Sequence, residues 1–145
     1  LFIASFFAFL GSGQAQNTAP SSARPKIPHS HHADHGGQVL MFGDDHIEFV
    51  ATLDSNQVTF YASDKMRSPV ALNQLTLVVE VVDGTKVTPL KVTPSAKAPN
   101  IGLLIVPKTA RKTGILKVQA YRETPPKGHV SVKSAQSLPL VQLFK

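Results

Sequence analysis

The feature that most constrains the fold is a series of short apolar segments, each of which ends in a cluster of turn-forming residues. The clearest is residues 75–82, where one face is apolar and Asp83-Gly84 follows as a hairpin turn. Residues 46–53 alternate in the same way, and residues 54–57 form the next turn cluster. No 3.6-residue repeat continues over three turns, so the pattern excludes a long helix.

About seven short strands, separated by turns at roughly 8–12-residue intervals, are typical of an antiparallel β-sandwich of immunoglobulin-like type. A small barrel is the alternative. We therefore expect an all-β domain over residues 35–145. Pro89 predicts that residues 85–92 lie at a sheet edge or a bulge, because proline cannot donate to a strand ladder. Residues 130–132 are either a last short strand or part of a tail.

The N-terminal segment has a different composition. Residues 1–10 are apolar and uncharged, and residues 11–15 provide small residues for a cleavage after Ala15. This pattern is typical of a secretory signal peptide, and it is shorter than the roughly 20 apolar residues that span a bilayer. We expect residues 1–15 to be a signal peptide truncated at its start, with a membrane anchor as the alternative.

The predicted signal peptide is followed by a segment rich in proline, serine and alanine. Residues 16–34 therefore predict a disordered, histidine-containing tether that ends near Asp34. Gly36-Gly37 is expected to be a flexible joint where the chain turns onto the domain.

Composition excludes several classes of function. The chain has no cysteine, so disulfides, thiolate metal sites and cysteine nucleophiles are excluded. The formal net charge is +6, but the lysines are spread singly along the predicted strands and there is no tryptophan. We interpret these lysines as part of solvated strand faces. We therefore expect no nucleic-acid partner, and no stable membrane insertion after signal cleavage.

Histidine and acidic residues are concentrated in one stretch. Five of the six histidines and four of the nine acidic residues lie at positions 29–48, and residues 27–64 contain no lysine or arginine. Imidazole and carboxylate groups coordinate divalent transition metals, so this stretch predicts a metal site. With no cysteine and two methionines, the donor set suits Zn(II), Cu(II) or Ni(II) rather than Cu(I).

Strand alternation narrows the choice of ligands. His46 and Glu48 are two residues apart, so their side chains leave the same strand face about 6.5–7 Å from each other. The opposite face carries Ile47 and Phe49, which should enter the core. The predicted metal ligands are His35, His46, Glu48, His32, His31 and Asp44.

Each candidate also has an interpretation without metal. The histidines of the tether, including His29, are then simply solvated, and His46 and Glu48 form a solvent-facing pair. Asp44 or Asp45 either binds the ion or orients a histidine through a hydrogen bond, or the two residues only make a turn. Asp64 is a weaker candidate ligand. His129 is isolated in sequence and is expected at the surface.

Motifs of catalysis are missing from the sequence. It contains no Gly-x-Ser-x-Gly elbow, no phosphate-binding glycine loop and no His-Glu-x-x-His pair. We therefore predict that the protein is not an enzyme.

Four short runs of sequence point to a known family. They are HGGQV at 35–39, GDDHIEFV at 43–50, VTFYASD at 58–64 and Pro69-Val70. Together they resemble a small periplasmic module of Gram-negative bacteria, which occurs alone and near the start of adaptor (membrane-fusion) subunits of heavy-metal efflux systems. The resemblance is strongest over residues 35–70 and looser to about residue 123.

The resemblance implies a periplasmic β-sandwich associated with copper, zinc, cobalt or nickel. The family's recurrent positions fall here on His35, Gly36-Gly37, Asp44, His46 and Glu48. No hairpin or lipoyl-like region of an adaptor follows in this chain, so we expect a free-standing domain.

The predicted function is that of a periplasmic protein that binds a divalent transition metal and buffers or delivers it, with a link to heavy-metal efflux or resistance. Its expected partners are the metal ion and a periplasmic or efflux-system protein. The alternative is a metal-independent interaction module that docks a partner on an exposed strand edge. A pH sensor based on the clustered imidazoles is a third hypothesis.

Overall fold

The computed structural model describes residues 31–145. The predicted signal peptide and residues 16–30 of the predicted tether lie outside the described residues. In the described part, the chain forms nine strands, two short 3₁₀ turns and one short helix. The elements are β1 (Gln38–Phe42), β2 (Asp45–Ala51), β3 (Gln57–Ser63), β4 (Thr76–Asp83), β5 (Lys86–Pro89), β6 (Thr93–Pro94), β7 (Ile101–Ile105), β8 (Ile115–Tyr121), β9 (Gln136–Pro139) and α1 (Leu140–Leu143).

The strands form two sheets in which every pairing is antiparallel. The first sheet has the order β1-β2-β3-β7-β6, and the second has the order β5-β4-β8-β9. The predicted all-β antiparallel sandwich is confirmed. The structure has nine strands rather than about seven, because residues 85–94 divide between the two sheets and because β9 was not predicted. β5 pairs with β4, whereas β6 pairs with β7.

The core lies between the two sheets and follows from the alternation of side chains. In β3 every second residue is buried, beginning with Val58, and β8 shows the same period. Three phenylalanines, Phe42, Phe49 and Phe60, are each about 1% exposed and fill the centre of the sandwich. Burying a side chain of this size contributes about 1.5–3 kcal/mol, so these three rings contribute substantially to the stability of a domain without disulfides.

The sheet edges only partly follow the predictions. The edge position of Pro89 is confirmed, because β5 is the outer strand of the second sheet. Residues 130–132 do not form a strand; instead, Val130 is joined by two hydrogen bonds to Asp44, at the turn between β1 and β2. The last strand is instead β9, which the sequence pattern missed because Leu138 is its only fully buried residue. No helix in the described residues is long and apolar enough to cross a membrane.

Candidate functional site

The predicted site lies on the outer face of the first sheet, on β2. His46 and Glu48 share that face, and Ile47 and Phe49 enter the core as predicted. However, His46 is 1% exposed and Glu48 is 4% exposed. The interpretation of a solvent-facing pair is therefore wrong. The segment 31–37, which we call the strap, contacts both side chains.

The carboxylate of Glu48 binds the strap through four hydrogen bonds. Its Oε1 accepts the backbone N–H groups of His35 at 2.8 Å and Gly37 at 2.9 Å. Its Oε2 accepts the backbone N–H of Asp34 and the Nδ1 of His35, both at 2.9 Å. Burial raises the pKa of Glu48, but these hydrogen bonds outweigh it and leave the pKa below its usual value. Glu48 is therefore a buried, ionised anchor for the strap.

The two glycines of the strap, where we expected the chain to turn onto the domain, have different roles. Gly36 has a φ of +76°, which favours glycine because residues with a Cβ rarely adopt it. Gly37 lies directly against β2, and a Cβ at this position would stand 2.1 Å from the backbone oxygen of Phe49. The pair is thus a tight backbone joint that brings the amides to Glu48.

Substitution of Gly37 should reveal this close approach. We expect Gly37→Ala to lower the free energy of unfolding by about 2–3 kcal/mol, because the backbone must move away from β2. Gly84→Ala is the matched control. Gly84 also lies next to a strand, but a Cβ added there would meet no atom of the described residues within 4 Å. The only cost of Gly84→Ala is therefore the strain of its φ of +60°, about 1–2 kcal/mol. Urea unfolding measures both, and a smaller loss for Gly37→Ala than for Gly84→Ala would contradict the packing argument.

The imidazole of His35 has a defined orientation. Glu48 is ionised and can only accept, so the Nδ1 of His35 carries the proton of their hydrogen bond. The ring stacks on Tyr61 with a centroid distance of 3.6 Å and an interplanar angle of 6°. The side chain of His35 is 44% exposed. The remaining nitrogen, Nε2, is therefore the one that a ligand can use.

His46 is oriented in the same way but is buried. Its Nδ1 lies 3.1 Å from the backbone oxygen of Asp64, and a carbonyl only accepts, so Nδ1 carries the proton. In the neutral ring the lone pair is then on Nε2. The ring of His31 meets that of His46 edge to face, with centroids 5.7 Å apart. The strap thus places a second imidazole beside the buried one.

The loop of residues 64–68 contacts His46 and the strap, and it contains a residue that sequence reasoning missed. The carboxylate of Asp64 accepts the backbone N–H groups of Met66 and Ser68 at 2.8 and 2.9 Å. Between them Arg67 has a φ of +66°, an unusual conformation for a residue with a side chain. Its guanidinium donates to the backbone oxygen of His32. The positive φ has no local sequence signal.

The acidic pair Asp44-Asp45 belongs to a separate ionic network. Asp45 is 2% exposed and accepts two hydrogen bonds from Arg122, at 2.8 and 3.1 Å. The Nε2 of His129 bonds the same carboxylate at 2.9 Å, so the surface position that we predicted for His129 is wrong: its side chain is 7% exposed. Its burial depends on a partner 84 residues away, which no local pattern reveals.

Asp44 is bound within the same network, where its partners are Lys65, Val130 and His129. It lies 3.2 Å from the Nζ of Lys65 and accepts the backbone N–H of Val130 at 3.0 Å. Burial raises the pKa of Asp44, but the bonds from Val130 and Lys65 and the nearby charges of Lys65 and His129 leave it below its usual value.

The structure therefore brings some of the predicted ligands together in pairs. His31 lies beside His46, and His35 beside Glu48, whereas Asp44 lies in the ionic network and His32 binds Arg67 through its backbone oxygen. Among residues 31–145, no group of three or more histidine, aspartate and glutamate side chains is arranged to hold a metal ion.

No family model, curated protein or solved structure matches this chain. The likeness to the efflux-adaptor module thus depends on the sequence motif alone.

Proposed function

We propose that this protein binds a divalent transition-metal ion, Zn(II), Cu(II) or Ni(II), on the outer face of β2 and buffers or delivers it in the periplasm. The observation that carries the proposal is the imidazole of His46, whose Nδ1 donates to a backbone carbonyl while the ring of His31 lies against it. Histidines that bind metals usually donate their second ring N–H to a carbonyl or carboxylate, which directs the other nitrogen at the ion.

The spacing of the two rings fits a shared ion. With Zn–N bonds of about 2.0–2.1 Å, two imidazoles on one tetrahedral ion have ring centroids roughly 5–6 Å apart. The centroids of His31 and His46 are 5.7 Å apart. These two residues are therefore the central ligands of the proposal, and His32, which is next to His31 in the strap, is a candidate for a further position.

His35 and Glu48 fit a different role from the one first predicted for Glu48. Both oxygens of Glu48 already accept two hydrogen bonds each, so a metal bond would cost existing contacts with the strap. The pair instead has the form of a carboxylate that orients a histidine, with the Nε2 of His35 available to a ligand. We assign Glu48 to orientation and His35 to the ligand set.

The proposed set of donor atoms supports exchange of the metal ion rather than its permanent storage. Two or three imidazoles leave positions on the ion for water or for a ligand from another protein, unlike the closed four-ligand sites that hold structural zinc. Nitrogen donors without sulfur suit Zn(II), Cu(II) and Ni(II). An open site of this kind can receive an ion and pass it on, which is the basis for proposing a buffering or delivery role linked to heavy-metal efflux.

A substitution that keeps the scaffold contact tests the proposal. In His46→Asn the side-chain amide can still donate to the carbonyl of Asp64, but the Nε2 lone pair is lost. We expect calorimetric titration with Zn(II), Cu(II) and Ni(II) to show at least a tenfold loss of affinity, about 1.4 kcal/mol. His129→Gln is the matched control, because its amide keeps the contact with Asp45 outside the site. Equal affinities of His46→Asn and wild type would overturn the assignment.

A second candidate function of a different class is supported by the edge strand β5. Among residues 31–145, no strand pairs with the outer side of β5, and Val87 on this strand is 53% exposed. Such an edge can accept a partner's strand without metal. A metal-independent interaction module would bind Zn(II), Cu(II) and Ni(II) equally weakly in wild type and in His46→Asn, so the same titration separates the two functions.

A further inference from the structure

We infer that Arg67 is a positioning residue of the proposed metal site: it clamps the strap onto the sheet and so sets His31 against His46. This inference depends on the proposed function for its metal ligands, but the clamp itself is independent of metal. Arg67 is not among the residues that the sequence marks for chemistry.

The backbone at Arg67 is held in a conformation that its side chain does not favour. Its φ is +66°, and the turn around it is closed by several hydrogen bonds. The backbone N–H of Asp64 donates to the oxygen of Ser68 at 2.9 Å, and the N–H of Arg67 donates to the oxygen of Asp64 at 3.0 Å. Strained conformations of this kind persist where the surroundings enforce them, and they concentrate at functional sites.

The guanidinium of Arg67 contacts the strap at two residues. One nitrogen, Nη2, donates to the backbone oxygen of His32, and Nη1 lies 3.6 Å from the carboxylate of Asp34. Arginine presents several donors in a rigid plane, so one side chain can bind two acceptors in this way. The contact joins residues that are 35 positions apart in the chain.

The strap thus has two separate attachments. Glu48 holds the backbone at Asp34, His35 and Gly37, whereas Arg67 holds it at His32, directly next to His31. The position of the His31 ring should therefore depend more on Arg67 than on Glu48.

The same loop also fixes the other imidazole of the pair. The backbone oxygen of Asp64 accepts the Nδ1 proton of His46, three residues before Arg67. One short loop, residues 64–68, therefore contacts both sides of the ring pair: its Asp64 carbonyl binds His46, and its Arg67 guanidinium binds the backbone of His32, the residue after His31. The strained turn at Arg67 therefore has a role in positioning the two imidazoles.

Arg67→Gly separates this role from a contribution to stability. Glycine adopts a φ of +66° without strain, so we expect the melting temperature of the full chain to stay unchanged or to rise. In chelator, we expect the nuclear Overhauser contact between the rings of His31 and His46 to be lost. In Zn(II) titrations, we expect the affinity to fall at least fivefold, with Arg67→Lys intermediate because an ammonium replaces only part of the contact.

Arg111→Ala is the matched control. Arg111 also donates to a backbone oxygen, that of Leu53 at 3.0 Å, and its guanidinium lies over the ring of Phe144. The Arg111→Ala variant should keep both the contact between the rings of His31 and His46 and the wild-type affinity for Zn(II). Retention of the His31–His46 contact in Arg67→Gly would overturn the clamp. If wild type fails to bind Zn(II) while that contact still disappears in Arg67→Gly, the proposed function fails and the clamp stands.

Discussion

Replacing Arg122 with alanine is expected to lower the free energy of unfolding by about 3–5 kcal/mol, because it leaves the buried carboxylate of Asp45 without its main partner. Asp45 is 2% exposed and Arg122 is 9% exposed, and two hydrogen bonds of 2.8 and 3.1 Å join them. The contact of Asp45 with His129, at 2.9 Å, supplies a single donor and cannot replace both.

A surface ion pair provides the control for this prediction. The Nζ of Lys117 lies 3.5 Å from the carboxylate of Glu80, and the lysine side chain is 47% exposed. Lys117→Ala should cost less than about 1 kcal/mol, since water screens exposed pairs. Urea unfolding of both variants gives the comparison. Equal losses for Arg122→Ala and Lys117→Ala would show that burial adds nothing to the Asp45–Arg122 contact.

Glu48→Gln is expected to lower the free energy of unfolding at pH 7 by about 2–3 kcal/mol, because a buried carboxylate that accepts four hydrogen bonds is replaced by an amide. The amide N–H₂ would face N–H groups of the strap and leave donors without acceptors. We therefore also expect faster exchange of the backbone amide protons of Asp34, His35 and Gly37.

The cost of Glu48→Gln should depend on pH in one direction. The pKa of Glu48 in the folded protein lies below its ordinary value of 4.5, so its ionised form stabilises the fold above pH 4.5. This contribution is lost as the pH falls from 4.5 through the lower folded-state pKa, where the protonated carboxyl resembles the amide. Groups facing position 48 are the same in both proteins, namely the imidazole of His35 and the amides of the strap.

Urea unfolding at pH 7 and pH 3, in chelator, measures this dependence. The difference in the free energy of unfolding between wild type and Glu48→Gln should become smaller toward pH 3. Glu80→Gln, at a surface pair, should differ little from wild type at both pH values. A difference for Glu48→Gln that stays constant from pH 7 to pH 3 would mean that the ionised carboxylate does not hold the strap.

The fold class and the inner faces of the strands could be predicted from sequence because they depend on local alternation. Ile47 and Phe49 enter the core, and His46 shares a face with Glu48, since successive side chains in a strand point to opposite sides. The edge position of Pro89 followed equally from its missing N–H. The concentration of histidines near β2 was also visible, although a metal role for them stays a prediction.

Local alternation along the chain was thus enough to establish the antiparallel sandwich and the residues of β2 that share its outer face. Three features depended instead on contacts between distant segments: the strap covers this face, Glu48 holds its backbone amides, and Arg67 reaches His32. The burial of His129 against Asp45 has the same origin. Such hydrogen bonds join groups that are far apart in the chain, so no periodicity along the sequence records them.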